Sequence, residues 1–135
     1  MIIPPPPTSP TSDKTPSVIH KVRLLHKEIY TIGSKLAKRN KLGIHQGIEK
    51  MTTEMFSSLI EAAFTPRPAK LRVLEIARIR QSVIQNLVRT EYELEIINEN
   101  IYMKLSGMLV EVAKEINAWI SDTERRTVMQ KRPFN

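Results

Sequence analysis

The sequence predicts an all-α fold, a small bundle of four helices, on three observations. Apolar residues return at three- and four-residue spacing in four separate stretches, the period of helices that each bury one face. Polar or proline-bearing breaks separate the stretches. The 135 residues, 41% of them apolar, are enough for one domain with a core of its own.

Residues 1–16, MIIPPPPTSPTSDKTP, hold six of the nine prolines and read as a disordered tail. An extended linker is the commoner meaning of such composition, and a PxxP ligand is the other. Thr15-Pro16 then supplies an N-cap and a first helical position, because proline lacks the N–H that would have no partner there. In the first helix Val18, Val22, Leu25, Ile29, Ile32 and Leu36 fall within roughly 80° of arc. On the same wheel His20, Arg23, Lys27 and Lys38 point away from that stripe. Such a row either tracks phosphates or is a solvated lysine face. Between Lys14 and Lys41 a single acid, Glu28, stands among eight basic residues, which favours phosphates.

Lys38-Arg39-Asn40-Lys41 breaks the pattern and makes the first turn. The second helix is expected from about Leu42 to Phe64, with Ile44, Ile48, Met51, Met55, Leu59 and Ala62 as its stripe, widened by Phe56, Ile60 and Ala63. Gly43 and Gly47 weaken its first turns. Pro66 and Pro68 end it, since neither can continue a helix and each biases its predecessor to extended geometry.

The third helix contains KLRVLEIARIRQSVIQNLVR, residues 70–89. Its apolar positions fill roughly 220°, about twice the arc that an edge helix needs. It is therefore central or meets another subunit, and Ile76, Ile79, Val83 and Leu87 are the candidate interface. Arg80 falls inside the apolar arc and is a candidate interface residue, expected to pair across the interface with Glu75 or an acid of the fourth helix, or to line a central channel. Leu94, Ile96 and Ile97 then tuck a connection against the bundle end, and Asn98 is a good N-cap. The fourth helix, Glu99 to about Asp122, places Ile101, Leu105, Met108, Val112, Ile116, Trp119 and Ile120 on one side. Trp119 joins the candidate interface. The expected organisation is a tail over 1–16, a bundle over 17–122, and a basic, frayed tail over 123–135 that carries Arg125, Arg126, Lys131 and Arg132.

The net charge of +7 is sorted by segment: 14–41 carries +7 and 65–90 carries +5, while 91–124 carries −6. That sorting favours a polyanionic partner as strongly as a fortuitously basic surface. Candidate phosphate contacts are Arg23, Lys27, Lys38, Arg39 and Lys41, with Arg78 and Arg89 on the third helix. The first and third helices are diagonal in a square bundle, so only repetition around a ring joins their basic faces.

There is no cysteine, which fits a reducing cytoplasm and excludes disulfides, thiolate metal sites and a cysteine nucleophile. The start has neither a basic n-region nor an apolar h-region, and no run approaches the ~18 apolar residues of a membrane span. There is no Gly-rich phosphate loop, no H-E-x-x-H and no G-x-S-x-G. None of His20, His26 or His45 has the Glu three residues earlier that bundle di-iron sites use, so no metal or other cofactor is expected. His20 and His26 read as surface histidines. Glu111 and Glu115 share a face, but with Glu91, Glu93, Glu95 and Glu99 nearby they read as an acidic surface. No catalytic constellation is found, and the chain is expected not to be an enzyme.

The order of elements, residues 70–89 and MLVEVAKEINAWISD at 108–122 resemble the accessory variability determinant (Avd) proteins of diversity-generating retroelements. Those are relatives of four-helix-bundle proteins encoded in intervening sequences of bacterial ribosomal RNA genes. The likeness covers about Val18 to Asp122. It includes Lys70-Leu71 opening the third helix, the acid Glu75, and a small residue, Ala118, before Trp119. The chain departs at Ser82 and Asn86, where the family often carries arginine, and has its basic load at Arg78, Arg80 and Arg89 instead. The resemblance implies an antiparallel up-down four-helix bundle that assembles as a basic homopentameric barrel. It also implies binding to the element's reverse transcriptase and to RNA or an RNA–DNA hybrid, in support of mutagenic copying. A structural bundle oligomer without a specific nucleic-acid ligand is the other reading.

Overall fold

The computed structural model describes residues 15–131, in which five α-helices account for nearly every residue and no strand occurs. Residues 1–14 of the expected 1–16 tail and the last four residues lie outside that range. α1 (Thr15–Gly33) buries Val18, Val22, Leu25, Ile29 and Ile32, the stripe its spacing predicts. Leu36, the stripe's expected last member, lies past the helix end and is half-buried against the core. Three successive amides, of Ser34, Lys35 and Leu36, close the end of α1 onto the carbonyls of Tyr30, Ile32 and Gly33.

The expected second helix is present as one helix, preceded by a short one in the expected turn. α2 (Lys38–Leu42) is five residues long and buries none of them, while α3 (Ile44–Phe64) carries the apolar stripe. Lys38 to Lys41 are therefore a short exposed helix instead of an irregular turn. Gly43 makes the break. A Cβ there would lie 2.8 Å from the Arg39 carbonyl oxygen, so the tight reversal needs a residue without one.

Thr65 terminates α3 by bonding its amide to the Ala62 carbonyl and its hydroxyl to the Glu61 carbonyl. α4 (Ala69–Glu93) starts directly after the two prolines. It ends in a Schellman motif: the amides of Glu95 and Ile96 bond back to the carbonyls of Tyr92 and Glu91, and Glu95 takes a left-handed φ of 60°. Glutamate replaces the usual glycine there, which is why the sequence shows no stop signal. Asn98 caps the next helix as expected, accepting the Ile101 amide at 2.9 Å.

α5 (Glu99–Lys131) runs 33 residues and overturns the expected stop near Asp122. Nothing between Ser121 and Lys131 breaks a helix. Thr123 and Thr127 extend the buried stripe, bonding back to the Trp119 and Thr123 carbonyls, and Asp122 takes Arg125 and Arg126 at 2.6 and 3.1 Å, one turn on.

α1 packs on α3 and α5, and α4 packs on the same two helices, so α1 and α4 occupy diagonal corners. Partners run in opposite chain order throughout. His45 at the start of α3 meets Glu91 near the end of α4, and Lys70 at the start of α4 meets Trp119 far along α5. The four long helices are thus antiparallel neighbours around one core, which Leu25, Met55, Leu59, Leu74, Ile84, Leu105, Leu109 and Ile116 fill.

Candidate functional site

α1 has two polar flanks with different fates. The flank towards α5 is neutralised: Lys21 reaches Glu115 at 2.6 Å and Glu111 at 3.5 Å, and Glu28 receives Lys104 at 3.1 Å. The acidic pair of α5 therefore serves Lys21, whose ammonium is held above its ordinary pKa by the hydrogen bond to Glu115. The outward flank carries His20, Arg23 and Lys27, all exposed, beside Tyr30 at 67% exposure. Neither Arg23 nor Lys27 makes an ion pair with a described acid.

Lys38 does not continue that row along α1, because the helix ends at Gly33. It stands on α2 with Arg39 and Lys41, and Lys35 precedes it in the turn. All four are exposed and none has an acidic partner among the described residues. The result is a basic elbow between α1 and α3, continuous in sequence with the outward face of α1. Arg78 and Arg89 belong elsewhere. They sit on diagonal α4 and pair with Glu75 at 2.6 Å and Glu93 at 3.5 Å. The subunit therefore does not bring them together with the α1 row.

The wide apolar arc of α4 divides in two. Leu74, Ala77, Ile84 and Val88 enter the core, whereas Ile76, Ile79 and Val83 remain 38%, 60% and 37% exposed and Leu87 is half-buried at their edge. Beside this stripe a groove of about 640 Å³ runs between α4 and α5, with Ser82, Asn86, Ala113 and Asn117 in its lining. Two expectations for this face need correction. Trp119 is only 3% exposed and is covered within its own chain, with the Lys70 ammonium 5.8 Å over its ring. Arg80 pairs neither with Glu75 nor with α5. It donates to the Glu54 carbonyl at 3.0 Å and to the Ser58 hydroxyl, with its Nε 4.0 Å from the Glu54 carboxylate. Position 80 lies on the flank of α4 that faces α3, and the nearest acceptors are there.

A buried polar site escaped the sequence reading. His45 and Glu91 are both inaccessible to solvent, with His45 Nδ1 2.8 Å from Glu91 Oε2 and His45 Nε2 2.7 Å from the Ile29 carbonyl oxygen. Glu91 is thus no part of an acidic surface. Burial alone would push the His45 pKa down, but the hydrogen bonds to Glu91 and Ile29 and the charges of Glu91 and Glu49 outweigh it and hold the imidazole above its ordinary value. A signal existed. His45, Ile48, Thr52, Met55 and Leu59 keep one three-four spacing, and so do Leu74, Ala77, Gln81, Ile84, Val88 and Glu91. The core stripes pass straight through polar residues. Gln81 is buried in the same manner and donates to the Leu109 carbonyl at 3.2 Å and to Gln85 at 2.8 Å.

Comparison of the chain with protein-family models, with characterised proteins and with solved structures gives no match.

The geometry therefore has to speak through its chemistry. The His45–Glu91 pair is closed to any substrate, so it ties three helices together and presents no reactive atom. Among the described residues no group of three His, Asp or Glu side chains is placed to hold a metal ion, and no helix is long and apolar enough to cross a membrane. What faces solvent is a cationic strip on α1 and α2, and an apolar stripe on α4 at the opposite corner.

Proposed function

We propose that the chain is a non-catalytic accessory subunit that binds nucleic acid through phosphates and assembles with copies of itself through the outer face of α4. Following the family resemblance, the assembly is a pentameric ring that serves the reverse transcriptase of a diversity-generating retroelement during mutagenic copying. The observation that carries the nucleic-acid reading is the set of exposed cations Arg23, Lys27, Lys35, Lys38, Arg39 and Lys41, none paired with a described acid. Cations left without protein partners on one continuous surface attract a polyanion and release its counterions. Tyr30 is the single aromatic on that surface, so base stacking contributes little and sequence preference is weak. A ring repeats the strip, which supplies avidity without a strong individual site.

The test is a salt titration of RNA binding. Neutralising about six phosphates gives a log–log slope of about −4 to −5. Lys27→Glu with Lys38→Glu flattens it by about one for every phosphate no longer neutralised in each occupied subunit. The exposed Ile76, Ile79 and Val83 also suit a purely structural oligomer. Binding that ignores salt, or that survives both reversals, selects that second reading. A neighbouring reverse-transcriptase gene with a template and variable repeat pair would support the first.

A further inference from the structure

A second concentration of positive charge lies at the other end of the bundle, where the sequence reading expected a frayed tail. Lys70 lies across Trp119, with its ammonium 5.8 Å from the ring. Trp119 is one turn before Asp122 on α5, and Asp122 holds Arg125 and Arg126. Arg67 stands three residues before Lys70 in the α3–α4 connection. Burial, and then the charges of Arg67 and Arg126, push the Lys70 pKa down, so three cations crowd one another at this corner. Neither Arg67 nor Lys70 has an acidic partner among the described residues. Asp122 meets Arg126 at 3.1 Å, which leaves Arg67 and Lys70 as the cations of this corner open to an anion from outside.

The position matters as much as the charge. The α2 elbow immediately precedes α3 and Arg67 immediately follows it, so along α3 the elbow and Arg67 are 21 residues apart, roughly 31 Å at the helical rise. A B-form duplex presents the same backbone edge again after about 34–36 Å, one turn, and the A-like turn of an RNA–DNA hybrid is shorter. We propose that Arg67 and Lys70 form a second phosphate-binding point, which holds the backbone of a duplex about one turn away from its contact with the α2 elbow. This rests on the nucleic-acid reading of the elbow given above, and adds to it both the site at the far pole and a preference for duplex over a short single strand.

Trp119 is the only tryptophan in the chain, so its fluorescence reports on this pole alone. The experiment titrates full-length protein with a labelled RNA–DNA hybrid of about two turns, long enough to reach both poles, and follows anisotropy and Trp119 emission together. Wild type is expected to bind with a salt-reversible change in Trp119 emission. Arg67→Gln should weaken binding by roughly tenfold for each phosphate no longer held near 0.1 M salt and flatten the log–log slope by about one. Lys70→Met, which keeps an aliphatic stem on the indole, should flatten it by about one at an unchanged melting temperature.

Hybrid binding that stays intact in these variants, with Trp119 silent, overturns the second pole. If Lys27→Glu and Lys38→Glu still lower the affinity in that case, the elbow reading stands. A Trp119 response to polyglutamate and none to the hybrid assigns the corner to an acidic protein and overturns the proposal. Failure of wild type to bind the hybrid in either channel overturns both readings.

Discussion

His45 Nδ1 lies 2.8 Å from Glu91 Oε2 with both side chains sealed from solvent, so one imidazole joins the first turn of α3 to the last turn of α4. Its other nitrogen reaches the Ile29 carbonyl at 2.7 Å, which brings α1 into the same tie. A carbonyl can only accept, so Nε2 carries a proton. Nδ1 and the Glu91 carboxylate share another. The unit thus holds two protons in the folded state, at the end of the bundle from which the basic elbow projects.

Stability should fall with rising pH for that reason. The folded-state pKa of His45 is raised above 6.5, so the native state binds this proton more tightly than the unfolded chain does. The stabilisation is fully present below 6.5 and is lost as pH climbs through the raised value. Urea midpoints measured from mildly acidic to mildly alkaline pH should decline for wild type and flatten in His45→Gln. A wild-type midpoint that is level or rising over that window would show that the pair carries no such linkage.

Gly33 is fixed by the same site. A Cβ there would lie 2.7 Å from His45 Cδ2 and 2.9 Å from Nε2, closer than side chains pack. Gly33→Ala must displace the ring from its two acceptors, at a cost of about 1–3 kcal/mol, even though alanine favours helix elsewhere. Chemical denaturation checks this, and a variant as stable as wild type would mean that the ring is not held in place.

Arg80→Ala should destabilise the subunit itself, independently of assembly, because its acceptors Glu54 and Ser58 are in the same chain. The side chain is about one-third exposed. The loss is therefore set at about 1–2 kcal/mol, against less than about 0.5 for Arg23→Ala. Equal, negligible effects in denaturation would place the guanidinium in solvent.

Light scattering at micromolar concentration should find wild type well above the 15.5 kDa of one chain. The exposed Ile76, Ile79 and Val83 are the apolar face that such an assembly covers. Ile79→Glu with Val83→Glu should give folded monomers that melt below wild type only by what assembly contributes, since both side chains lie outside the core. A monomeric wild type would remove the oligomer from either functional reading.

The helices were legible in the sequence because periodicity is a local property. Val18 to Ile32 declared a single face, Pro66 and Pro68 declared a stop, and Asn98 declared a start, each through chemistry confined to a turn or two. Arg23 and Lys27 could be placed on an outward face for the same reason. What the sequence left open depended on contacts between remote segments. His45 and Glu91 occupy core positions by spacing, yet only the docking of α3 against α4 turns two polar residues 46 positions apart into a hydrogen-bonded buried pair. The same holds for Arg78 and Arg89, whose charges are met by Glu75 and Glu93, and for Arg80, which found Ser58 across a helix interface. The division of the α4 arc into a buried and an exposed half was decided by where α3 and α5 sit. A helical wheel gives angles, whereas burial is set by which of those angles a neighbour covers.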